Sequence, residues 1–488
     1  MSGSGGVIVG KVGKGGSVVF SNTNTYSGST TVSTGILKAN SGGGFNSSAI
    51  TVNSGASFDL AGQTISNALN LAGTGVGGNG ALITSSVSRG TASGSIELTA
   101  NTTVGSNNPI TISGAIASAA GNYGLSKIGS GVLTLSGSNT YTGSTSISNG
   151  YLAISADENL GTAPGSATAN HIALNGGSLY ITSTLEVNAN RGIGLGADGG
   201  TISIDAGVTG TYAGVIADVG NFTKAGAGTL ILSGDNTYGG TTTVGAGTLV
   251  FNRSGGTIST SGAVTVNGTL DIRYDTTLGS LAGAGSVTTT TSGAKVLTLG
   301  GNNGSTTFSG VIANGSGTIS MVKNGSGIFT LSGANTFTGD TTINAGTLKQ
   351  TGTLVSTSNL IMSGTAIWDL QANQTLATLT MASGNSITAS AGTSSLTVAG
   401  QAIIANSIAT AGAQTYNGAV ILAENTALSS TGNGDITFDA GKDLVVVSDI
   451  IVSDSKTVTL DASTGAITLG GKVTAGTLAV TVRDDFSV

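Results

Sequence analysis

Short runs of alternating apolar and polar residues recur along the chain. They include LTLSG at 133–137, LILSG at 230–234 and TTV at 242–244. An alternation with a period of two is typical of a β-strand that buries one face. Gly and Asn interrupt these runs about every five to ten residues and provide the positive-φ positions that tight corners need. The pattern predicts many short strands joined by tight turns.

Long helices are not predicted, because the chain has 83 Gly and shows almost no helical periodicity. Strands this short cannot bury their inner faces alone, so each turn of the chain must pack on the next. The predicted fold is all-β, a parallel β-helix (β-solenoid), right-handed by the general preference of parallel crossovers. With roughly 20 to 25 residues per turn and ~4.8 Å between turns, we expect about 20 to 24 turns and a rod on the order of 100 Å long.

A phrase of about thirty residues occurs four times. The copies contain VVFSNTNTYSGSTTV, KIGSGVLTLSGSNTYTGSTSISNGYLAI, KAGAGTLILSGDNTYGGTTTVGAGTLVF and KNGSGIFTLSGANTFTGDTTINAGTL, and their matching aromatics are Tyr26, Tyr141, Tyr238 and Phe337. These aromatics are spaced by 115, 97 and 99 residues. A repeating unit of about a hundred residues indicates a repeat architecture.

Other landmarks recur with the phrase, so whole units were duplicated. An Ile precedes each copy (Ile8, Ile116, Ile216 and Ile312), and an Asp follows three of them (Asp59, Asp271 and Asp369). We predict a four-unit solenoid over 1–400, with units at 6–113, 114–213, 214–309 and 310–400, and a truncated solenoid continuation over 401–488.

The recurring side chains are interpreted as structural. Asn139, Asn236 and Asn335 are expected to turn the chain at corners, and they align into one ladder only if a unit holds a whole number of turns. The four recurring aromatics are assigned to core or corner packing. Trp368 has the same assignment, because it aligns with Phe58 and Leu270.

The composition of the chain limits which functions and which cellular locations are expected. Only 8% of the residues are charged while 38% are hydrophobic, and the mean hydropathy is +0.29, which favours a packed core over disorder. A net charge of −6 offers no basic surface for nucleic acid. Cys is absent, which fits an exported protein that avoids disulfides before it crosses a second membrane, although many cytosolic proteins also lack Cys. No apolar run is long enough for a membrane helix, and MSGSGGVI lacks the features of a signal peptide.

The best local set of catalytic residue types is Asp271, Arg273 and Asp275, which would share one face of a strand. Asp271 recurs as Asp59 and Asp369 without these neighbours, so we interpret it as a turn-capping residue. The single His171 is assigned to an exposed loop, and Asp157 with Glu158 to a solvated loop pair. We therefore predict no catalytic, cofactor-binding or metal-binding residues, and no enzyme activity.

Calcium is the one cofactor the sequence leaves open. Asp435, Asp439, Asp443, Asp449, Asp454 and Asp461 raise the acidity of the C-terminal stretch, and neighbouring turns could bring two or three of them together. The preferred interpretation is that they cap turns and keep the surface soluble.

The phrase GxGxLxLSGxNTYxGxTxVxxGTL resembles the passenger-associated transport repeat of bacterial autotransporter passengers. A stretch at 174–204, LNGGSLYITSTLEVNANRGIGLGADGGTISI, resembles another segment of such passengers, and AGAQTYNGAVILAENTALSSTGNGDITF at 411–438 is similar to filamentous-haemagglutinin-like, two-partner-secreted adhesins. The resemblance implies an extracellular β-helical stalk at the bacterial cell surface, part of a longer adhesin. It also implies an outer-membrane translocator elsewhere in the parent protein or as a separate protein.

The expected partners are host or bacterial cell surfaces, glycans or copies of the chain itself. Two alternatives remain open. The first alternative is that the chain is a self-assembling filament or biofilm-matrix protein. The second and more remote alternative is a polysaccharide-degrading enzyme, since parallel β-helices also carry such activities.

Overall fold

The computed structural model describes two units, Met1–Leu249 and Val250–Val488. The described residues are 1–10, 16–21, 24–40, 44–45, 48–105, 107–254, 262–355, 358–422, 426–432, 434 and 436–438, followed by the backbone of the strands beyond 438. The predicted boundaries of the hundred-residue units and of the 401–488 continuation stay predictions.

Each strand pairs in parallel with a strand one turn away. Thr30 lies opposite Ile50, Ile50 opposite Leu69 and Leu69 opposite Ile96, so the chain returns to the same column after 20, 19 and 27 residues. The alternating pattern sets which side chains face inward, as in Thr30–Val32, where the first and third residues are buried. The predicted parallel β-solenoid is confirmed.

The first unit contains three sheets and one short strand pair. The first sheet consists of Val7–Val9, Ser17–Phe20, Thr30–Val32, Gly35–Ala39, Ile50–Val52, Ala56–Asp59, Leu69–Gly73, Leu82–Ile83, Ile96–Gly105, Ile116–Ala117, Leu125–Ile128, Thr145–Ile147, Thr168–Leu174, Arg191–Leu195 and Ile216–Asp218. The second sheet contains Thr64–Ile65, Gly90–Ala92, Ile110–Ile112, Val132–Leu135, Tyr151–Ile154, Ser178–Ile181, Gly200–Ile204, Phe222–Ala225 and Thr242–Val244. The third contains Leu185–Val187, Thr209–Tyr212 and Thr229–Leu232, followed in the chain by strand Thr248–Phe251. Ser2–Gly3 pairs with Thr25–Tyr26, and short 3₁₀ turns lie at Val76–Gly78 and Asp157–Leu160.

The second unit is built in the same way. Its main sheet consists of Thr276–Leu278, Ala294–Leu299, Thr306–Phe308, Thr318–Lys323, Ile328–Leu331, Thr341–Gln350, Leu360–Leu370, Leu379–Met381, Ser386–Thr388, Ala402–Ile404, Ser407–Thr410, Val420–Leu422, Thr426–Ser430, Leu444–Val446, Ile450–Val452, Ile467–Leu469, Val473–Thr474 and Phe486–Ser487. A second sheet contains Gln374–Leu376, Leu396–Val398, Gln414–Tyr416, Ile436–Phe438, Thr457–Ala462 and Thr477–Val482. Thr269–Ile272 pairs with Ser286–Thr288, which pairs with Val311–Ile312, and Ala263–Val266 pairs with Ser280–Ala282.

The core is a set of columns of apolar side chains. Val32, Val52, Leu71 and Leu98 follow one another in register and are at most 1% exposed. Burying one such side chain contributes about 1.5–3 kcal/mol. The recurring aromatics and Trp368 are also buried, as predicted.

The second and third repeat copies, which both lie in the first unit, place their equivalent strands in different sheets. In the second copy, Leu125–Ile128 and Thr145–Ile147 belong to the first sheet. The equivalent strands of the third copy, Phe222–Ala225 and Thr242–Val244, belong to the second sheet. The repeat of about a hundred residues therefore does not hold a whole number of turns in this part of the chain. Asn139 and Asn236 consequently cannot form a single ladder.

One recurring landmark was assigned wrongly. Ile8 lies on Val7–Val9, which pairs with Thr30–Val32 beyond the aromatic of its own copy, and its side chain is 76% exposed. Ile116, Ile216 and Ile312 are fully buried. Ile8 precedes its aromatic by fewer residues than the others do, so it falls at a different position of the turn.

Among the described residues, no helix has the length and apolarity needed to cross a membrane.

Candidate functional site

The repeat places a Lys inside the solenoid wall. Lys127, Lys224 and Lys323 are at most 2% exposed. The Lys224 ammonium donates to the carbonyls of Ala225, Gly226 and Ala246 at 2.9, 2.8 and 3.0 Å. Lys127 and Lys323 make the equivalent three bonds. Because all three donors of each ammonium are used, these cations join a strand to the next turn and are not available to a ligand.

The recurring Asn and Ile form a second contact between turns. The Asn139 Oδ1 atom accepts the backbone N–H of Ile116 at 2.8 Å, and Asn236 accepts that of Ile216 at 2.8 Å. Asn335 accepts the N–H of Ile312 at 2.9 Å. This bond explains why the two landmarks recur together.

The recurring aromatic hydroxyl bonds a buried Thr four residues later. Tyr141 lies 2.8 Å from Thr145 Oγ1, and Tyr238 lies 2.6 Å from Thr242 Oγ1. The fourth copy has Phe337 at this position, and the Oγ1 atom of buried Thr341 has no partner among the described residues. A buried hydroxyl without a partner costs stability.

Replacing Phe337 by Tyr is expected to stabilise the second unit by about 1 kcal/mol, because the added hydroxyl pairs with Thr341 Oγ1. The measurement is urea unfolding followed by the fluorescence of the single Trp368. The double variant F337Y/T341V should lose the gain. A lower midpoint for F337Y would show that the fourth copy has no room for the hydroxyl.

Buried titratable groups of the repeats make stability depend on pH. Burial lowers the pKa of Lys127, Lys224 and Lys323 from 10.5 to about 8, and burial raises the pKa of Tyr141 from 10.0 to about 12. Between about pH 8 and 10 the unfolded lysines hold protons that the folded ones have lost, so stability rises with pH. Above about pH 10 the unfolded tyrosine loses a proton that the folded one keeps, so stability falls.

We expect the urea midpoint to rise from about pH 8 and to pass through a maximum near pH 10. The triple variant K127M/K224M/K323M should lack the rise. A wild-type midpoint that falls steadily over this range would contradict the assignment.

The recurring Asp holds the following turn. Asp59 accepts the N–H of Ser85 at 2.9 Å, Asp271 that of Thr290 at 2.9 Å and Asp369 that of Ser390 at 2.9 Å. All three carboxylates belong to buried residues. The predicted turn-capping role is thus observed, with the capped group one turn away.

Asp271, Arg273 and Asp275 do not share a strand face, which corrects the expectation. The strand Thr269–Ile272 ends before Arg273, and the chain bends at Tyr274. Arg273 Nε lies 3.3 Å from the Asp271 carboxylate, and Asp275 accepts the N–H of Val296 at 2.9 Å. Both carboxylates are therefore engaged in holding the backbone or a neighbouring side chain.

His171 is not an exposed loop residue, which corrects a second expectation. It lies on strand Thr168–Leu174, is 5% exposed, and neither ring nitrogen has a hydrogen-bond partner among the described residues. The backbone of Thr142 approaches the ring without meeting hydrogen-bond geometry. Burial, and then the charge of Arg191, lower the pKa of His171 below its ordinary value. The imidazole is therefore neutral at neutral pH.

Asp157 is not simply a solvated loop residue. Its carboxylate accepts from Arg191 Nε and from an Arg191 terminal nitrogen at 3.0 and 3.1 Å, whereas Glu158 is exposed. Arg191 is fully buried and also donates to the carbonyls of Leu160 and Gly161 at 2.9 and 2.6 Å. These contacts fix the 3₁₀ turn Asp157–Leu160 against the next turn of the solenoid.

Arg191 and the exposed aromatics were not predicted from the sequence. Tyr151 and Tyr274 are 44% and 43% exposed. Tyr151 replaces the Thr248 and Thr347 of other copies at an outward position, and this departure from the repeat was the available signal.

The acidic residues 435, 439, 443, 449 and 454, and the side chain of Asp461, lie outside the described residues. Within the described part, no group of three His, Asp or Glu side chains is placed to hold a metal ion.

Comparison with known proteins agrees with the repeats. The family model Passenger-associated-transport-repeat matches residues 15–39, 125–154, 222–251 and 321–349. The chain carries the repeats of autotransporter passengers. The passenger prediction and the extracellular, cell-surface location that follows from it are confirmed.

One curated relative of this passenger segment is the adhesin BmaC autotransporter of Brucella suis biovar 1 (strain 1330). It is 37% identical over 246 residues, which cover 47% of this chain and 7% of that protein. The chain thus spans only a small part of that relative's length. No solved structure matches the passenger segment. The haemagglutinin-like character of 401–488 is not addressed by these matches and stays a prediction.

Proposed function

We propose that this passenger segment is a non-enzymatic stalk of a large bacterial surface adhesin. One observation carries the proposal. The recurring Lys, Asn and Asp side chains of the described repeats bond neighbouring turns, so the repeated chemistry serves to stack the solenoid. The similarity to a protein named an adhesin supports the same conclusion.

Such a stalk presents contacts to cell surfaces, glycans or neighbouring copies. Many weak contacts on one chain act together through multivalency. The parent protein would supply the outer-membrane translocator, either in the same chain or as a separate protein. Formation of the parallel ladders outside the cell favours movement outward, because a stacked turn does not return through a pore unless its hydrogen bonds break.

The test uses latex beads coated with the whole chain. Beads should attach to epithelial cells or to bacteria more strongly than beads coated with an unrelated acidic protein, and attachment should rise steeply with coating density. Attachment equal to the control at every density would overturn the adhesin proposal. Regular filaments that grow with protein concentration in electron micrographs would replace it by self-assembly. Release of reducing ends from polysaccharides by the chain would replace it by enzyme activity.

A further inference from the structure

A polar hollow lies beside the single histidine of the chain. We call it the His171 pocket; its volume is about 650 Å³, and it is lined by Asn101, Asn122, Thr142, Gly143, Ser144, Thr162, Ala163, Pro164, Gly165, Thr168, Ala169, Asn170 and His171. These lining residues contribute amides, hydroxyls and one imidazole, with no carboxylate and no Lys or Arg. A volume of this size is typical of small-molecule sites.

The pocket is the product of a longer turn. Leu125 pairs with Thr145 after 20 residues, but Thr145 pairs with Ile172 only after 27. The additional residues form the loop around Pro164, and the loop is held from the next turn. Asn190 donates to the Pro164 carbonyl at 2.8 Å, while Arg191 donates to the carbonyls of Leu160 and Gly161.

The strand that carries His171 is irregular at this point. Its pairing with Arg191–Leu195 shifts register between Thr168 and Ile172, and Asn170 has a φ of 53° in the left-handed region. Bulges and left-handed non-glycine residues cluster at functional sites, where they redirect side chains. The bulge is accompanied by the burial of His171 with both ring nitrogens unpaired. A buried polar side chain without a partner requires an explanation.

We propose that the His171 pocket binds a neutral saccharide unit. Sugar hydroxyls both donate and accept hydrogen bonds, as do the amides, hydroxyls and neutral imidazole of the pocket. The lining carries no charged side chain, and Arg191 is fully buried and paired with Asp157. The exposed Asp218 carboxylate, which lies beside the Asn170 amide at Gly194, disfavours an anion. On the other side of the same strand, an apolar groove of about 290 Å³ is lined by Ala169, Ile193, Val215 and neighbouring residues. Polar and apolar surfaces side by side match the hydroxyl edge and the C–H face of a pyranose ring.

The proposal rests on the adhesive function for the origin of the ligand, and the two can fail separately. Coated beads can attach to cells without any saccharide in this pocket, and the pocket can bind a saccharide without mediating attachment. The first test therefore measures the pocket itself.

His171 provides a single spectroscopic reporter, since the chain has one histidine. The whole chain, labelled on histidine with ¹⁵N, is titrated with lactose to represent galactose-terminated animal glycans and with cellotriose to represent a bacterial polysaccharide. A saturable shift of the His171 resonance with either sugar supports the proposal and indicates the source. Unchanged resonances with both sugars would overturn it, as would a shift produced only by an anionic heparin oligosaccharide.

Variants separate binding from a structural role. His171→Leu should abolish saturable sugar binding, measured by calorimetry, and should raise the thermal midpoint, because an apolar side chain replaces unpaired buried nitrogens. Asn170→Gly keeps the left-handed backbone, removes the amide and should weaken binding about tenfold. Asn303→Gly is the matched control, since Asn303 has a similar φ of 56° in the other unit, and it should leave sugar affinity unchanged.

The combination of a lowered thermal midpoint and unchanged sugar affinity in His171→Leu would assign His171 a purely structural role and overturn the proposal. Loss of affinity in the Asn303→Gly control would do the same, because binding would then not be located at the pocket.

Discussion

Replacing Arg191 by Met is expected to lower the free energy of unfolding by about 3 kcal/mol. Removing one partner of a buried ion pair typically costs about 3–5 kcal/mol, and the lower end applies because the Asp157 side chain is 26% exposed. The carbonyls of Leu160 and Gly161 also lose their donor. The backbone of Asp157–Leu160 and of Thr168–Leu174 should therefore exchange amide hydrogens faster, as measured by mass spectrometry.

A double-mutant cycle with Asp157→Asn isolates the ion pair from the carbonyl contacts. The coupling energy should be on the order of 1–3 kcal/mol, as for contacting residues in one network. A coupling near zero would mean that Arg191 acts only through the carbonyls. If the increase in amide hydrogen exchange were confined to regions away from the His171 pocket, it would contradict the role of Arg191 in holding the loop.

Replacing Lys323 by Met is the second change with a large expected effect. The ammonium donates to the carbonyls of Asn324, Gly325 and Ala345 at 2.8, 2.8 and 3.1 Å, and Met cannot donate to any of them. Buried groups that lose a partner cost about 1–3 kcal/mol each, partly offset here by removal of a buried charge. We expect a net loss of about 3 kcal/mol.

Trp368 fluorescence reports this loss, because the indole is fully buried in the same unit. Lys295→Met is the matched control, since the hydrogen bonds of Lys295 are exposed, and it should change stability by less than about 0.5 kcal/mol. Equal midpoints for Lys323→Met and Lys295→Met would show that the internal ammonium contributes nothing to the stacking of turns.

The sequence predicted well whatever depends on local periodicity or on repetition. Alternation predicted the strands, and the recurring aromatic, Asn and Asp residues were correctly assigned to structural roles. The sequence could not predict the hydrogen bonds between turns whose two partners do not recur in other copies. Arg191 and Asp157 are 34 residues apart and occur in one copy only, so no pattern connects them.

Turn length explains the other failures. His171 was assigned to a loop because it lies close to Pro164, but the chain re-enters a strand at Thr168, in a turn of 27 residues between Thr145 and Ile172. The strand face proposed for Asp271, Arg273 and Asp275 assumed a strand that continues, whereas it ends at Ile272. In both places the position of a corner decided the environment of the side chain.

The amino-acid sequence by itself determined that this chain is a parallel β-solenoid with passenger-type repeats, because burying one face of each short strand requires stacking on the next turn. Only the tertiary structure decided which sheet each repeat copy joins, and that a buried histidine borders a polar hollow. These features depend on the summed lengths of successive turns. One additional or missing residue at a corner changes which side chains meet one turn away, while the local pattern of the strand stays the same.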